Sequence, residues 1–467
     1  MIFRQLIDPD LGCASYLLGD DGRAVVVDPG LDVDAVVAAA AQERVRIALV
    51  LETHVHADHV SGRELLARRT GAAVRVPAGG GYAPGVGDPL RDGDVIDVGA
   101  LRITVRAAPG HRPEHLVFLV ADRTRSEQPW LLLSGDSLLV GDLARPDLAV
   151  EARAGARALH ATLAGLSDLP DGVELWPGHV GGSLCGGPGL SRKPSSTLGY
   201  ERAHDPLLAC DADALTERLV AALPERPPTV EAVVARNRSR RPAPDGPVPA
   251  LAPAQLAAAL ADGVTLLDAR PAEAFDAGHV RGALSLPLPG HGLGTRAAWV
   301  LDPDDEVAVL ADDAAAAAEL VRRLRAVGLA RVRGAVALDA LPAPAGGDGA
   351  AGPLAPLAAA GIALDAAPAI PVSELPARIG ELTVVDVRDA LEWRAGHLAD
   401  AVHLPLARLR DGAATLPDGP LAVACGSGPR AAFAASWLRA RGRDARRVAD
   451  GGIPDLPPLG LALTAAA

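Results

Sequence analysis

Shortly after the apolar run Ile47-Ala48-Leu49-Val50-Leu51, the chain reads Thr53-His54-Val55-His56-Ala57-Asp58-His59. Three imidazoles and a carboxylate within six positions restrict what such a chain can fold into. A strand that ends in this turn aims several ligands at one point, and the scaffold must bring the rest of the donor set to the same place. Imidazole with carboxylate suits zinc, iron or manganese far better than calcium or magnesium.

The pattern recurs. Ala24-Val25-Val26-Val27 ends in Asp28-Pro29-Gly30. Leu101 to Ala107 alternates as a strand does and leads to Pro109-Gly110-His111. Trp130-Leu131-Leu132-Leu133 leads to Gly135-Asp136, and Val173-Glu174-Leu175-Trp176 to Pro177-Gly178-His179. Val33 to Ala41 reads as a helix. Each of these strands delivers a His or Asp just past its end, which is where α/β scaffolds hold reactive groups. The histidines His115, His160, His204 and His291 have no cluster around them in sequence and read as solvated or locally bonded. Cys13 and Cys210 read as packing residues.

A chain of 467 residues suggests ~3 domains. Aromatic residues make up only 3 %, so the cores must be mostly aliphatic. A net charge of −13 argues against nucleic acid or an anionic membrane as partner, so an anionic substrate needs a local positive site. Met1 to Asp8 has no secretory pattern, and no run of about 18 uncharged apolar residues suggests a membrane span. Cys13, Cys185, Cys210 and Cys425 are too scattered for a disulfide framework, so reduced thiols and a cytoplasmic location are expected. A homo-oligomer is compatible with these features.

The second half repeats itself. Asp268, Arg270 and Gly278-His279 return 118 positions later as Asp386, Arg388 and Gly396-His397, and Leu286-Pro287-Leu288 as Leu404-Pro405-Leu406. So long a period means duplicated α/β domains. Arg236 to Pro249 and Leu341 to Pro353 read as linkers. The expected domains are 1–240, 249–365 and 366–467. In the last, the short strand Ala422-Val423-Ala424 runs into Cys425-Gly426-Ser427-Gly428-Pro429-Arg430 and a helix from Ala431 to Arg441. A cysteine at that junction faces the helix dipole and a ring of backbone N–H donors, both of which favour thiolate and make a nucleophile. Two glycines let the backbone curl around the sulfur, and Arg430 closes the loop. In the first copy the equivalent position is Ala311, followed by Asp312 and Asp313, so the same sulfur chemistry is not available there.

On His54-x-His56-x-Asp58-His59, His111, Asp136 and His179, the first 240 residues resemble the metallo-β-lactamase superfold, an αββα sandwich with metal between two sheets. In two-metal hydrolases of that superfold, the resemblance gives His54, His56 and His111 to one zinc and Asp58, His59 and His179 to the other, with Asp136 bridging. In persulfide dioxygenases it gives one Fe(II) per chain to His54, His111 and Asp136, with His56, Asp58, His59 and His179 as hydrogen-bonding groups around it. Gly135-Asp136-Ser137-Leu138-Leu139, Arg145-Pro146-Asp147 and Ser195 to Arg202 resemble the dioxygenase branch. There Arg145 would grip the carboxylate of the thiol substrate. Cys185, in this chain's own loop after His179, would lie near the pocket and handle sulfane sulfur. One departure is Gly181, where glutathione-specific members carry tyrosine. The Cys-x-x-Gly-x-Arg loop resembles rhodaneses, which carry sulfur as a cysteine persulfide; phosphatase loops are one residue longer. The whole chain thus resembles a dioxygenase, an inactive rhodanese and an active rhodanese in series. That resemblance implies a sulfide-detoxifying enzyme taking a low-molecular-weight thiol persulfide and O₂ to thiol and sulfite, with Cys425 making thiosulfate and Arg430 supporting it. The alternatives are a two-zinc thioester hydrolase of the glyoxalase II kind and a non-enzymatic sulfur carrier or sensor.

Overall fold

The computed structural model describes residues 1–465, apart from 182, 184, 188, 243, 289 and 343–351. Most of the stretch from Leu341 to Pro353 therefore lies outside the described residues. The chain forms two compact units. One is Met1–Glu225 with Val230–Asp245 and Ala326–Gly328; the other is Arg226–Thr229 with Gly246–Arg325 and Leu329–Ala467.

The first unit holds two six-stranded sheets. In the first, β1 (Ile2–Ile7), β2 (Ala14–Asp20), β3 (Arg23–Val27), β4 (Arg46–Leu51), β5 (Ala73–Pro77) and β6 (Asp88–Leu90) lie in chain order. In the second, β7 (Val95–Val98), β8 (Leu101–Ala107), β9 (Leu116–Asp122), β10 (Leu131–Gly135), β11 (Glu174–Pro177) and β12 (Ser196–Thr197) do likewise. The strands are apolar on both faces, and their period of two splits each between two cores. Leu18, Val25 and Val27 meet Ile103, Phe118 and Val120 between the sheets. Leu17, Val26 and Val50 turn outward onto the helices Val33–Gln42 and Arg63–Thr70. Val117, Leu119 and Leu132 turn outward onto Ala152–Gly165 and Ala212–Ala221. The result is the expected αββα sandwich.

Two features bring the strand ends together. β10 and β11 are parallel neighbours with Gly135 opposite Pro177, so the next residues, Asp136 and Gly178-His179, leave the sheet side by side. The N–H of Leu116 on β9 donates to the carbonyl of Thr53 at 2.8 Å, tying the second sheet to the loop after β4.

The linker reading fails at its start. The helix Val230–Arg238 continues through Arg236, because Val230, Val233, Val234 and Asn237 form a buried face. Val230 and Val234 pack with Val55, Ala57 and Leu148. The Arg- and Pro-rich composition around it hides this spacing.

The second unit contains the duplication. β13 (Thr265–Asp268), β14 (His279–Val280), β15 (Leu284–Ser285), β16 (Val307–Ala311), β17 (Val332–Ala337) and β18 (Leu364–Asp365) belong to the first copy. Four of them make a parallel sheet in the order β15-β13-β16-β17, and β14 pairs with β18. β19 (Ile370–Pro371), β20 (Thr383–Asp386), β21 (Val402–His403), β22 (Leu421–Ala424) and β23 (Ala445–Ala449) form the second parallel sheet, ordered β19-β23-β22-β20-β21. The repeated residues explain themselves as structure. Asp268 holds Arg270 through a double contact, and Arg270 Nη2 donates to the Gly278 carbonyl at 2.9 Å. Asp386, Arg388 and Gly396 repeat this at 2.7 Å. His279 stacks on Phe275 and His397 on Trp393.

Each Asp–Arg pair is buried, so removing one partner strands a charge. Arg388→Met should destabilise the second unit by about 3–5 kcal/mol, read as a lower urea midpoint for that transition. A midpoint unchanged from wild type would mean the pair is not what holds the turn.

Candidate functional site

His54, His111 and Asp136 are fully buried and converge. His54 Nε2 lies 3.8 Å and His111 Nε2 3.5 Å from Asp136 Oδ2. None of these three atoms has a hydrogen-bond partner among the described residues.

Hydrogen bonds on the far side of each ligand fix which atom faces inward. Thr53 Oγ1 donates to Asp28 Oδ2 at 2.7 Å, so its contact with His54 Nδ1 at 2.8 Å must accept a proton from the ring. His111 Nδ1 lies 2.8 Å from the carbonyl of Arg145, which can only accept. Both rings therefore carry their proton on Nδ1 and turn a lone pair on Nε2 toward Asp136. Burial holds both imidazoles below their usual pKa range and so in the neutral, ligating form. Burial alone would raise Asp136, but His179 and His111 hold it well below the ordinary carboxylate range. Two neutral imidazoles and one carboxylate, each with an unsatisfied inward atom, fit a divalent metal ion.

Asp136 is itself held. Its N–H donates to His115 Nε2 at 2.9 Å, and His115 Nδ1 contacts Ser137 Oγ at 3.0 Å. Burial, then His111, lowers the pKa of His115 to about 4, so it stays neutral and can accept. His115 is thus a fully buried support for the site, bonded to Asp136 and Ser137 more than twenty positions away, where the sequence reads it as solvated or locally bonded. His179 Nδ1 contacts Asp136 Oδ1 at 2.9 Å. Gly178 permits this, since a Cβ there would meet Asp136 Oδ1 at 2.5 Å.

The remaining motif residues divide into two groups. His56 Nε2 turns to Asp28 at 3.2 Å and Glu52 at 3.4 Å; its Nδ1 has no partner among the described residues. Asp58 accepts from His179 Nε2 at 2.9 Å and from the Cys13 thiol at 3.2 Å, and contacts His59 Nδ1 at 3.1 Å. His59 Nε2 is buried and unpartnered among the described residues. Cys13, Asp58, His59 and His179 together could also hold a metal ion, their ligand atoms all lying within 4.8 Å. Cys13, read from sequence as a packing residue, is therefore part of the site's wall.

Cys185 lies beside His179 and Asp136 as expected, and burial pushes its thiol pKa upward. Arg145 departs from expectation. Its guanidinium makes the two-pronged contact to Asp147 at 2.7 and 2.9 Å and donates to the carbonyls of Pro224 and Glu225. Four of its five N–H groups are engaged within the fold, and its carbonyl orients His111. At Gly181, a Cβ would meet Arg192 Cγ at 2.7 Å, so a tyrosine has no room there as the loop stands.

Asn237, missed in the sequence, clamps the motif loop. Its Nδ2 donates to the carbonyls of His56 at 2.9 Å and His59 at 2.8 Å, and its Oδ1 accepts from the N–H of Ser61. It lies 178 residues beyond His59, and nothing local marks it.

In the second unit, Cys425 follows β22 and is buried. Gly428, at φ +103°, caps the helix Pro429–Arg439 and donates its N–H to Cys425 Sγ at 3.1 Å. Pro429 opens the helix where no N–H is needed. Arg430 is held by Glu392 through both guanidinium nitrogens at 2.5 and 2.7 Å. Burial would raise Glu392, but the Arg430 hydrogen bond holds it at about 2. In the first copy Ala311 is buried at the matching strand end, and Asp313 caps the next helix by accepting from Ala316 N–H at 2.8 Å.

The sequence pattern of the metallo-beta-lactamase superfamily matches residues 8–179, and that of the rhodanese-like domain matches 252–334 and 372–456. A hydroxyacylglutathione hydrolase of Anaeromyxobacter dehalogenans is 33% identical over 233 residues, covering 45% of this chain and 87% of that protein. The mitochondrial persulfide dioxygenase ETHE1 of Homo sapiens is 28% identical over 193 residues, covering 38% of this chain and 68% of its own. Among solved structures, a metallo-beta-lactamase from Staphylococcus aureus subsp. aureus COL aligns with a TM-score of 0.64 at 29% identity, over 72% of this chain and 99% of that one.

Two outcomes are expected. Thr53→Val removes the group that fixes the His54 ring, so metal affinity should fall ~10–100-fold in a chelator competition titration. Glu392 has a lowered pKa, so its contribution is present above the unfolded value of 4.5 and lost as pH falls toward about 2. Glu392→Gln should therefore melt earlier than wild type at pH 7, with the gap closing on acidification across that window.

Proposed function

The chain belongs to the metallo-beta-lactamase superfamily and carries rhodanese-like domains behind it, and from that premise we propose that it is a persulfide dioxygenase coupled to a sulfurtransferase. The observation that carries this reading is the triad. His54 Nε2, His111 Nε2 and Asp136 Oδ2 meet without partners among the described residues; Asp58, His59 and His179 bond to one another and His56 Nε2 contacts Asp28, although His56 Nδ1 and His59 Nε2 also lack partners among the described residues. One metal held by two imidazoles and a carboxylate on one face leaves positions open.

Ferrous iron bound there would supply sites for a substrate sulfur and for dioxygen. The protein's own part is to hold that face rigid. His115 and His179 fix Asp136, Thr53 and the Arg145 carbonyl fix the two rings, and the buried surroundings limit water. The net reaction takes a thiol persulfide, O₂ and water to thiol, sulfite and two protons. In the second unit the Cys425 thiolate attacks the outer sulfur of another persulfide. The sulfur–sulfur bond breaks, thiol leaves, and Cys425 keeps the sulfane sulfur as a persulfide anion. Sulfite then takes that sulfur, giving thiosulfate and restoring the thiolate. The Gly428 N–H and the Arg430 guanidinium lie where they favour anionic sulfur. Four unpaired cysteines suit a reducing compartment, and the cytoplasm is the proposed location. Among the described residues no helix is long and apolar enough to cross a membrane.

The second reading, a two-zinc thioester hydrolase, rests on the Cys13, Asp58, His59, His179 group and on the hydroxyacylglutathione hydrolase relative. Metal analysis after anaerobic purification separates the two: one iron per chain against two zincs. Oxygen uptake with several thiol persulfides should be present in wild type and abolished by Asp136→Asn. Cys425→Ser should still consume oxygen but release sulfite in place of thiosulfate; unchanged thiosulfate output would sink the division of labour. No uptake with any persulfide and no thioester hydrolysis would leave a sulfur carrier.

A further inference from the structure

The first copy lacks a sulfur-carrying cysteine, yet it is built into the surroundings of the one that has it. The helix Pro429–Arg439, whose N-terminus makes the Cys425 loop, is buried at every position from Ala431 to Leu438. A helix buried all round needs cover on two sides. Its own sheet, through β22 and β23, covers one side, and β15 of the first copy packs against it as well. β15 is an edge strand, and its Ser285 N–H donates to Ser436 Oγ of this helix at 2.9 Å.

A charged contact lies beside the turn that donates to the sulfur. Arg447 on β23 is buried, and its Nη1 would lie 4.0 Å from a Cβ placed on Gly428, the residue whose N–H donates to Cys425 Sγ. Among the described residues, the side-chain partners of Arg447 come from the other copy. Its Nε donates to Asp276 at 2.7 Å and its Nη2 to Glu273 at 2.9 Å, both on the helix Ala272–Ala277 of the first copy. A planar guanidinium with two nitrogens on two carboxylates has a fixed position, which a lysine ammonium could not reproduce.

We propose that the first copy acts as the other half of the sulfur-transfer site: Glu273 and Asp276 hold Arg447 against Gly428, and Arg447 is a positioning residue for the Cys425 loop. The inference rests on the reading of Cys425 as a sulfur carrier. It gives the copy without a thiol a task that keeps the fold and discards the chemistry. The step it serves is sulfur transfer alone, so the metal-centred reaction should not depend on it.

The test uses the full-length protein with thiosulfate as donor and cyanide as acceptor, beside Cys425 alkylation by iodoacetamide, oxygen uptake with a persulfide, and melting temperature. Arg447→Met and the paired Glu273→Gln/Asp276→Asn should each lower kcat for transfer ~10-fold with KM little changed, and slow alkylation similarly. Arg447→Lys should recover only part of the rate. Oxygen uptake should match wild type in every variant. Unchanged kcat and alkylation at unchanged melting temperature would overturn the proposal. So would losses that disappear on cooling well below the melting transition, which would mark a purely structural role. A wild-type protein that transfers no sulfur would instead refute the reading of Cys425.

Discussion

Three buried atoms that converge on one point without a hydrogen-bond partner among the described residues set the character of the first unit: His54 Nε2, His111 Nε2 and Asp136 Oδ2. Burying a polar atom without a partner costs a few kcal/mol in general, and three at one point would be a poor design unless something else binds them. A divalent cation satisfies all three at once. The rest of the site follows from keeping those atoms open. Thr53 and the Arg145 carbonyl occupy the outer nitrogens of the two rings, and His115 and His179 occupy the backbone and second oxygen of Asp136. Remove these outer bonds and the rings are free to turn their lone pairs elsewhere.

The second unit displays the same economy by opposite means. Two copies share the Asp–Arg–Gly turn and the stacked Gly-His, which are structural, and differ at the end of the central strand. There one has Cys425 with a donor N–H and a nearby arginine, and the other has Ala311 followed by two aspartates. The duplicated framework therefore tolerates either content, because the turn that holds the sheet together lies on a different strand from the loop that would carry sulfur.

How much of this is legible without coordinates depends on whether the signal is local. The motif from His54 to His59, the strand-end residues Asp28, His111, Asp136 and His179, and the Cys425 loop are short, dense patterns, and their placement at strand ends follows from strand period and turn residues. The αββα layering comes with the resemblance those motifs carry; the apolar strands by themselves read only as strands with helices between them. Arg145 is instructive. Its distance from Asp136 in sequence says nothing about which way its fork points, and Asp147, two residues on, takes it. His115 reads as isolated because its partners, the Asp136 N–H and Ser137, lie about twenty residues away on another strand. Asn237 and Cys13 belong to the same class: single residues with no periodicity, brought to the site by a helix and a strand start.

The sequence by itself determined the kind of chemistry, because residue types fix it: imidazoles and a carboxylate for a metal, and a thiol at a helix N-terminus for sulfur. It also determined that one repeat lacks the thiol. Only the tertiary structure decided which donors face inward, which are held by their neighbours, and that Arg447 answers to carboxylates from the other copy. Those outcomes depend on side-chain direction and on hydrogen bonds between distant segments, and neither is written in local composition or spacing.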